Sequence, residues 1–194
     1  MINTSFAFQP WPKIPRHSKE YMIITEKIDG TNAQIHILED GRMKAASRTR
    51  YITPEDDNFG FAVWVKKNEQ ELAKLGPGRH YGEWYGIGIQ REYGLSERKF
   101  ALFNVQRWNK NNPNTPTCCS VVPCLAAGTI GDIKLIQHSI LSLKETGSIL
   151  EPGFMKPEGI IIHHVISKIS YKILCENDDK HKGELNIEDT SSNT

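Results

Sequence analysis

Between residues 21 and 38 the chain sets two strand-like runs around one polar break. Tyr21-Met22-Ile23-Ile24 is a short apolar run of the kind that fills a buried strand. Ala33-Gln34-Ile35-His36-Ile37-Leu38 alternates apolar and polar residues, the mark of a strand with one covered face. The break between them, Glu26-Lys27-Ile28-Asp29-Gly30-Thr31-Asn32, carries an Asp-Gly pair typical of hairpin turns. The expectation is a strand–strand turn at Asp29-Gly30. Lys27 is the last long side chain before it, so its amine would project from the end of a sheet, where a ligand pocket can form.

An amine at such a place does covalent chemistry only when it is neutral. An ordinary lysine, with a pKa of about 10.4, is protonated at neutral pH. Partial burial or a neighbouring cation frees the lone pair. Taken alone, the stretch reads equally well as a surface lysine beside a β-turn.

The pattern of short strands continues downstream. Met43 to Ser47 reads as a third strand, with Arg42, Lys44, Arg48 and Arg50 clustered around it and no acid among them. They form either a solvated sheet face or a phosphate-binding patch, for which the arginine fork is suited. Thr53 to Asn58 is rich in helix N-cap residues, and Phe61, Val65, Leu72 and Leu75 recur at helical spacing up to Gly76-Pro77-Gly78. One helix packed on the sheet is expected there. Arg79 to Gly86 and Phe100 to Val105 read as strands, and Gly86 to Arg91 as a turn that lacks the third glycine of a dinucleotide fingerprint. Gln90 and Arg91 are within conceivable reach of a polynucleotide strand. Residues 109 to 117 form a polar loop, and Val121 to Leu125 reads as one short buried strand. A second helix opens at Gly131-Asp132, with Ile133, Ile136, Ile140 and Leu143 on one face and Gly147 after its end. Two further strands enter at Ile160 and Tyr171.

The length of 194 residues suits one domain with a sizeable core. With 24 basic and 23 acidic residues the chain lacks the basic excess of many nucleic-acid binders, although a local patch suffices for binding. The four cysteines have no C-x-x-C pairs with histidine partners, so reduced, structural thiols are expected rather than a zinc site. His163-His164, adjacent on a strand, would point to opposite faces and not chelate one ion. No signal peptide or long apolar span is visible, and a soluble, cytoplasmic enzyme is expected.

Lys27-Ile28-Asp29-Gly30 resembles the nucleotidyl-acceptor motif of the covalent nucleotidyltransferases, namely DNA ligases, RNA ligases and mRNA capping enzymes. The longer string through Asn32 is most similar to RNA ligases, in particular RNA ligase 2-like adenylation domains. Further strings resemble that family's later motifs, in order: Ser47-Arg48, Gly82-Glu83 in an aromatic strand, Phe103 in Phe100 to Val105, Glu158-Gly159 entering an apolar strand, and Tyr171-Lys172.

The resemblance implies an α+β nucleotidyltransferase (ATP-grasp-like) adenylation domain over residues 1–183, with antiparallel sheets flanking a nucleotide cleft and helices outside. A polar tail over 184–194 and no OB-fold domain are expected. It implies an ATP-dependent RNA ligase that joins 5′-phosphate and 3′-hydroxyl ends through lysyl-AMP, with ATP and Mg²⁺ (or Mn²⁺) as cofactors. RNA ends, including those of a nicked duplex, would be the partners, and a monomer is compatible. Lys27 would be the nucleophile and Lys172 a phosphate contact. Phe103 would stack on adenine and Glu83 would hold the ribose. Asp29, Arg48 and Glu158 would order phosphate and metal, with Glu158 the metal ligand. Glu26 and Asn32 complete the expected nucleotide contacts. The family commonly has a second lysine two positions beyond Lys172, where this chain has Leu174. Lys168, Lys180 and Lys182 are the candidates to replace it. The alternatives are a DNA nick ligase, a capping-type guanylyltransferase, or a catalytically weak module that binds nucleic-acid ends.

Overall fold

In the computed structural model, which describes residues 10–14, 20–109 and 111–176, the two runs around Lys27 form strands β1 (Tyr21–Lys27) and β2 (Thr31–Ile37). They do not pair with each other. β1 lies in a four-stranded sheet, between β8 (Cys124–Thr129) and β9 (Gly159–His164), with β10 (Ser170–Leu174) beyond β9. β2 lies in a six-stranded sheet, between β3 (Met43–Ala46) and β5 (Gly78–Gly86). β4 (Tyr51–Ile52) flanks β3, and β6 (Arg98–Leu102) and β7 (Cys119–Val121) continue beyond β5. All pairings are antiparallel except that of β6 with β7.

The expected turn at Asp29-Gly30 is therefore a crossover from one sheet to the other. Both edges of β1 and both edges of β2 are taken by other strands, which leaves none for a hairpin between them. Gly30 is required by close approach: a Cβ there would sit 2.4 Å from the Trp84 carbonyl oxygen.

Two further expectations are corrected. The strand expected from Val121 to Leu125 divides into β7 and β8, which belong to different sheets. Pro123 has no N–H to continue a ladder, and its carbonyl accepts the Glu26 N–H at 3.0 Å. The helix expected from Phe61 to Leu75 is broken into α1 (Phe61–Lys67), α2 (Glu69–Leu72) and a 3₁₀ turn, Ala73–Leu75. The break falls at Asn68, whose Nδ2 donates to the Trp64 carbonyl at 2.8 Å, the backbone competition that asparagine offers inside helices. The apolar spacing nevertheless holds, since Phe61, Val65, Leu72 and Leu75 are all buried. The last helix, α3 (Ile133–Thr146), starts at Asp132, which accepts the Leu135 N–H at 3.0 Å, and stops at Gly147 with φ 80°.

The strand periodicity then decides where the helices sit. Ile35, Ile37, Trp84, Phe100 and Leu102 share one face of the six-stranded sheet and pack on Phe61, Val65, Leu72 and Leu75. Met22, Ile24, Ile160 and Ile162 share one face of the four-stranded sheet and pack with Leu143 of α3. Each fully buried side chain of this size contributes about 1.5–3 kcal/mol of transfer free energy. A third cluster, with Ile28, Tyr85, Tyr93, Ala101 and Val122, gathers both crossover segments. The result is an α+β fold whose sheets carry their helices on the outside. On the opposite face of the six-stranded sheet, Tyr85 and Ala101 are covered by the third cluster.

Candidate active site

Alternation along β1 sends Met22, Ile24 and Glu26 toward α3 and Ile23, Thr25 and Lys27 to the other face. Lys27 lies in register with Gly159 on β9, and Gly159 with Leu174 on β10. A Cβ on Gly159 would lie 2.1 Å from the Ile173 carbonyl oxygen, so only glycine fits in this row. The residue before it, Glu158, is 3% exposed and accepts a hydrogen bond from Lys27 Nζ.

Glu83 enters from the facing sheet. It lies opposite Asn32 in the β2–β5 register. Its carboxylate accepts the Gly30 N–H at 3.1 Å and Asn32 Nδ2 at 3.0 Å. Burial pushes Glu83 up to about 7; the Lys27 charge and these hydrogen bonds oppose the rise, and Glu158 adds to it. The folded value exceeds the ordinary carboxylate value, so the stability associated with the protonated acid is present below about 4.5 and lost as pH rises through 7. Glu83→Gln imitates the neutral acid, and Asn32 can turn its amide to suit it. The stability of this variant relative to wild type should grow by about 2 kcal/mol between roughly pH 5.5 and pH 8. Urea unfolding at the two pH values measures this, and a gap that does not change with pH contradicts it.

Asp29 is gripped from the segment after β5. Its N–H donates to Tyr93 Oη at 2.8 Å, and its Oδ2 accepts Arg91 Nε at 3.1 Å. Arg91 Nη1 donates in turn to the Lys156 carbonyl at 3.0 Å. Glu26, expected among the nucleotide contacts, turns its carboxylate away from Lys27. It accepts Ser148 Oγ at 2.5 Å and the N–H groups of Ile149 and Leu150, each at 2.9 Å. Burial raises its pKa against these bonds. The geometry makes Glu26 an anchor for the loop after α3, because it stands one residue out of phase with Lys27.

A cavity of about 300 Å³ opens on the helix-free face of the six-stranded sheet, lined by Asn32, Gln34, Ser47, Arg48, Tyr81 and Phe103. Gly82 is part of its wall, and a Cβ there would meet the Ala101 carbonyl oxygen at 2.4 Å and the Phe100 ring at 2.6 Å. β6 stops at Leu102, so Phe103 lies just beyond the strand. Its N–H donates to the Tyr81 carbonyl at 3.0 Å, and it is 40% exposed, with its ring open to the cavity. Of the basic cluster, Arg42 pairs with Asp40, Arg50 with Asp56, and Lys44 lies 5.5 Å over the Tyr51 ring. Arg48 has no ion pair among the described residues, and it is the member that lines the cavity.

Lys172 is exposed and lies in register with Ile161, which pairs with Thr25; it shares the Lys27 face one row back. Lys168 sits in the turn between β9 and β10, at the end of that hairpin remote from Gly159 and Lys27. It cannot stand in for a lysine at Leu174. Lys180, Lys182 and the tail over 184–194 lie outside the described residues. His163 and His164 do point to opposite faces: His163 Nδ1 is 2.9 Å from Ser170 Oγ, and His164 packs on Tyr171 at 5.3 Å. No cluster of three His, Cys, Asp or Glu side chains suited to a metal is found among the described residues. Glu158 nevertheless fits a hard cation in part, since its second oxygen accepts no hydrogen bond there. An ion held by it would complete its coordination with phosphate oxygens and water, the usual habit of Mg²⁺.

The grips on Asp29 and Glu26 are the features that sequence reasoning missed. They join residues 62 to 124 positions apart, and no local pattern marks them.

Comparison with known proteins bears on the family and the fold. The RNA ligase family model matches residues 20–184. Among solved structures, a Naegleria gruberi RNA ligase with pyrophosphate superposes with a TM-score of 0.61 at 19% identity, over 84% of this chain and 53% of that one. A point mutant of the same ligase with ATP and Mn gives 0.60 at 19% identity, over 86% and 53%. An apo point mutant gives 0.58 at 18% identity, over 86% and 53%. The chain thus spans about half the length of the solved proteins it matches, and at this identity the likeness is one of fold. No helix among the described residues is long and apolar enough to cross a membrane. With the family model matching residues 20–184, on a fold that sets Lys27 against Glu158 and Glu83, the chain belongs to the RNA ligase family.

Proposed function

We propose that this chain is an ATP-dependent polynucleotide ligase module that activates RNA ends through a covalent lysyl-AMP. The observation that carries the reading is one amine, Lys27, paired with buried Glu158 and facing the charge of buried Glu83, whose partner Asn32 lines a cavity walled by Tyr81 and Phe103. The Naegleria structures that contain ATP or pyrophosphate support ATP as the nucleotide, by likeness of fold.

In the first step the Lys27 lone pair attacks the α-phosphorus. The N–P bond forms as the bond to the bridging oxygen breaks, and that electron pair leaves on pyrophosphate. The proton lost by the amine passes along the hydrogen bond to Glu158. A divalent cation on Glu158 would neutralise phosphate charge and favour the neutral amine. Glu83 and Asn32, already bonded to each other, present polar atoms toward the sugar, and Arg48 presents its fork at the cavity wall. AMP then passes from Lys27 to a 5′-phosphate, and a 3′-hydroxyl displaces it as the strands join.

The test is incubation with α-phosphate-labelled ATP or GTP and Mg²⁺ or Mn²⁺, followed by a denaturing gel. Label that survives denaturation with ATP is the expected result. Label with GTP in preference would make the chain a capping-type transferase, and no label with either would leave an end-binding module. Phe103 provides a second check. Phe103→Leu keeps apolar bulk but removes the flat ring, so ATP affinity should fall by about 1 kcal/mol, the scale of one aromatic contact, with little change in Tm. A large Tm loss with unchanged affinity would assign Phe103 to the core.

A further inference from the structure

The reaction proposed above leaves an electrostatic imbalance at the Lys27 end of the cleft. Glu83, Glu158 and Asp29 place carboxylates there, and a triphosphate brings more negative charge. Lys27 must be neutral to react. β10 offers one cation on this face, Lys172, which stands a row back; in the Lys27–Gly159 row itself the residue is Leu174. A second donor for phosphates leaving Lys27 has to come from outside β10.

We infer that Arg91 is that donor and grips the departing pyrophosphate. The guanidinium is fixed on both flanks of the reacting pair. Asp29, two residues after Lys27, holds Nε at 3.1 Å, and the carbonyl of Lys156, two residues before Glu158, holds Nη1 at 3.0 Å. Nη2 makes no hydrogen bond among the described residues, and the side chain is 30% exposed. A guanidinium anchored by two of its nitrogens, with the third unengaged, is organised to bind phosphate oxygens without further ordering.

The chain on either side is strained. Gln90, Glu92 and Tyr93, none of them glycine, have φ of 48°, 56° and 54°. Such conformations persist where the surroundings enforce them, and they gather at ligand clamps. Here the enforcement is local: Tyr93 is buried against Tyr85 and Phe154, and its hydroxyl takes the Asp29 N–H. Arg91 also bears on the other sheet. Burial raises the pKa of Cys175, the neighbour of Leu174, and the positive charges of Lys144 and Arg91 oppose that rise.

This inference rests on the proposed adenylyl transfer, and the test separates the two. Pyrophosphate binding, measured by calorimetry with Mg²⁺ present, addresses Arg91 alone. Single-turnover labelling by ATP addresses the reaction. Arg91→Ala should weaken pyrophosphate about tenfold and slow labelling on the order of a hundredfold, the effect of one transition-state donor. Arg91→Gln, whose amide nitrogen stands where Nε does and so keeps an N–H donor for Asp29, serves if the alanine variant fails to fold. Adding Leu174→Lys to either variant places an ammonium in the Lys27 row and should restore pyrophosphate affinity. Unchanged pyrophosphate affinity in the Arg91 variants overturns the inference. So does a loss that Leu174→Lys leaves uncorrected, which would reduce Arg91 to a brace for Asp29. If wild type takes no label, the ligase reading fails, and the pyrophosphate data still decide the role of Arg91.

Discussion

Lys27→Arg is expected to fold like wild type and to lose covalent labelling by ATP, by a factor of at least about a thousand. Arginine keeps the charge beside Glu158 and can keep the hydrogen bond that Lys27 Nζ now donates. It cannot supply a lone pair, because the guanidinium stays protonated at any workable pH. Lys27→Ala should lose labelling just as completely, but for a second reason it is the less clean variant. It leaves Glu158, 3% exposed, without its cation, and should destabilise the fold by about 2 kcal/mol at neutral pH. Labelling gels beside urea unfolding curves separate the two effects. Clear labelling of either variant would remove Lys27 as the nucleophile.

The second large effect belongs to Glu158. Glu158→Gln keeps the shape and one acceptor oxygen for Lys27 but removes the charge. In the proposed mechanism that charge serves twice, as the acceptor for the lysine proton and as the protein ligand for the cation. Labelling should slow by at least about a hundredfold, the lower end of what a positioned proton acceptor contributes. The metal concentration needed for half-maximal rate should rise steeply, because a neutral amide is a poor ligand for Mg²⁺. The measurement is the single-turnover rate across a range of Mg²⁺. A slower rate with an unshifted metal dependence would restrict Glu158 to holding Lys27.

How much of this was legible in the sequence depends on the range of the interactions involved. The strands around Ile24, Ile35 and Ile160 and the helix from Ile133 were readable because their apolar spacing is a local property. The partition of β1 and β2 into separate sheets was not, since it depends on which edges other strands occupy. Asn68 broke a helix whose apolar positions were correctly placed, because one side-chain amide competed for a backbone carbonyl. Within the site, Lys27, Glu83, Glu158, Arg48 and Phe103 carried recognisable strings. Glu26 belonged to the same string as Lys27, but strand alternation sets its carboxylate on the face away from Lys27, where it bonds Ser148. Arg91 sat in a stretch read as a turn, and its clamp on Asp29 spans 62 positions of chain.

The crossover at Ile28-Asp29-Gly30 has a consequence for how such a site can change. Lys27 belongs to one sheet and the Phe103 cavity to the other, and no strand is shared between them. Under the proposed mechanism, substitutions at Arg48, Tyr81 or Phe103 should alter what the cavity holds without disturbing the Lys27 row. That independence concentrates constraint in the short tether between the halves. Asp29 is pinned by Tyr93 and Arg91, and Gly30 has no room for even a methyl group against Trp84. In the proposed mechanism recognition can therefore drift on its own sheet, while its spacing from the reaction is set by Ile28-Asp29-Gly30 together with the second crossover at Pro123.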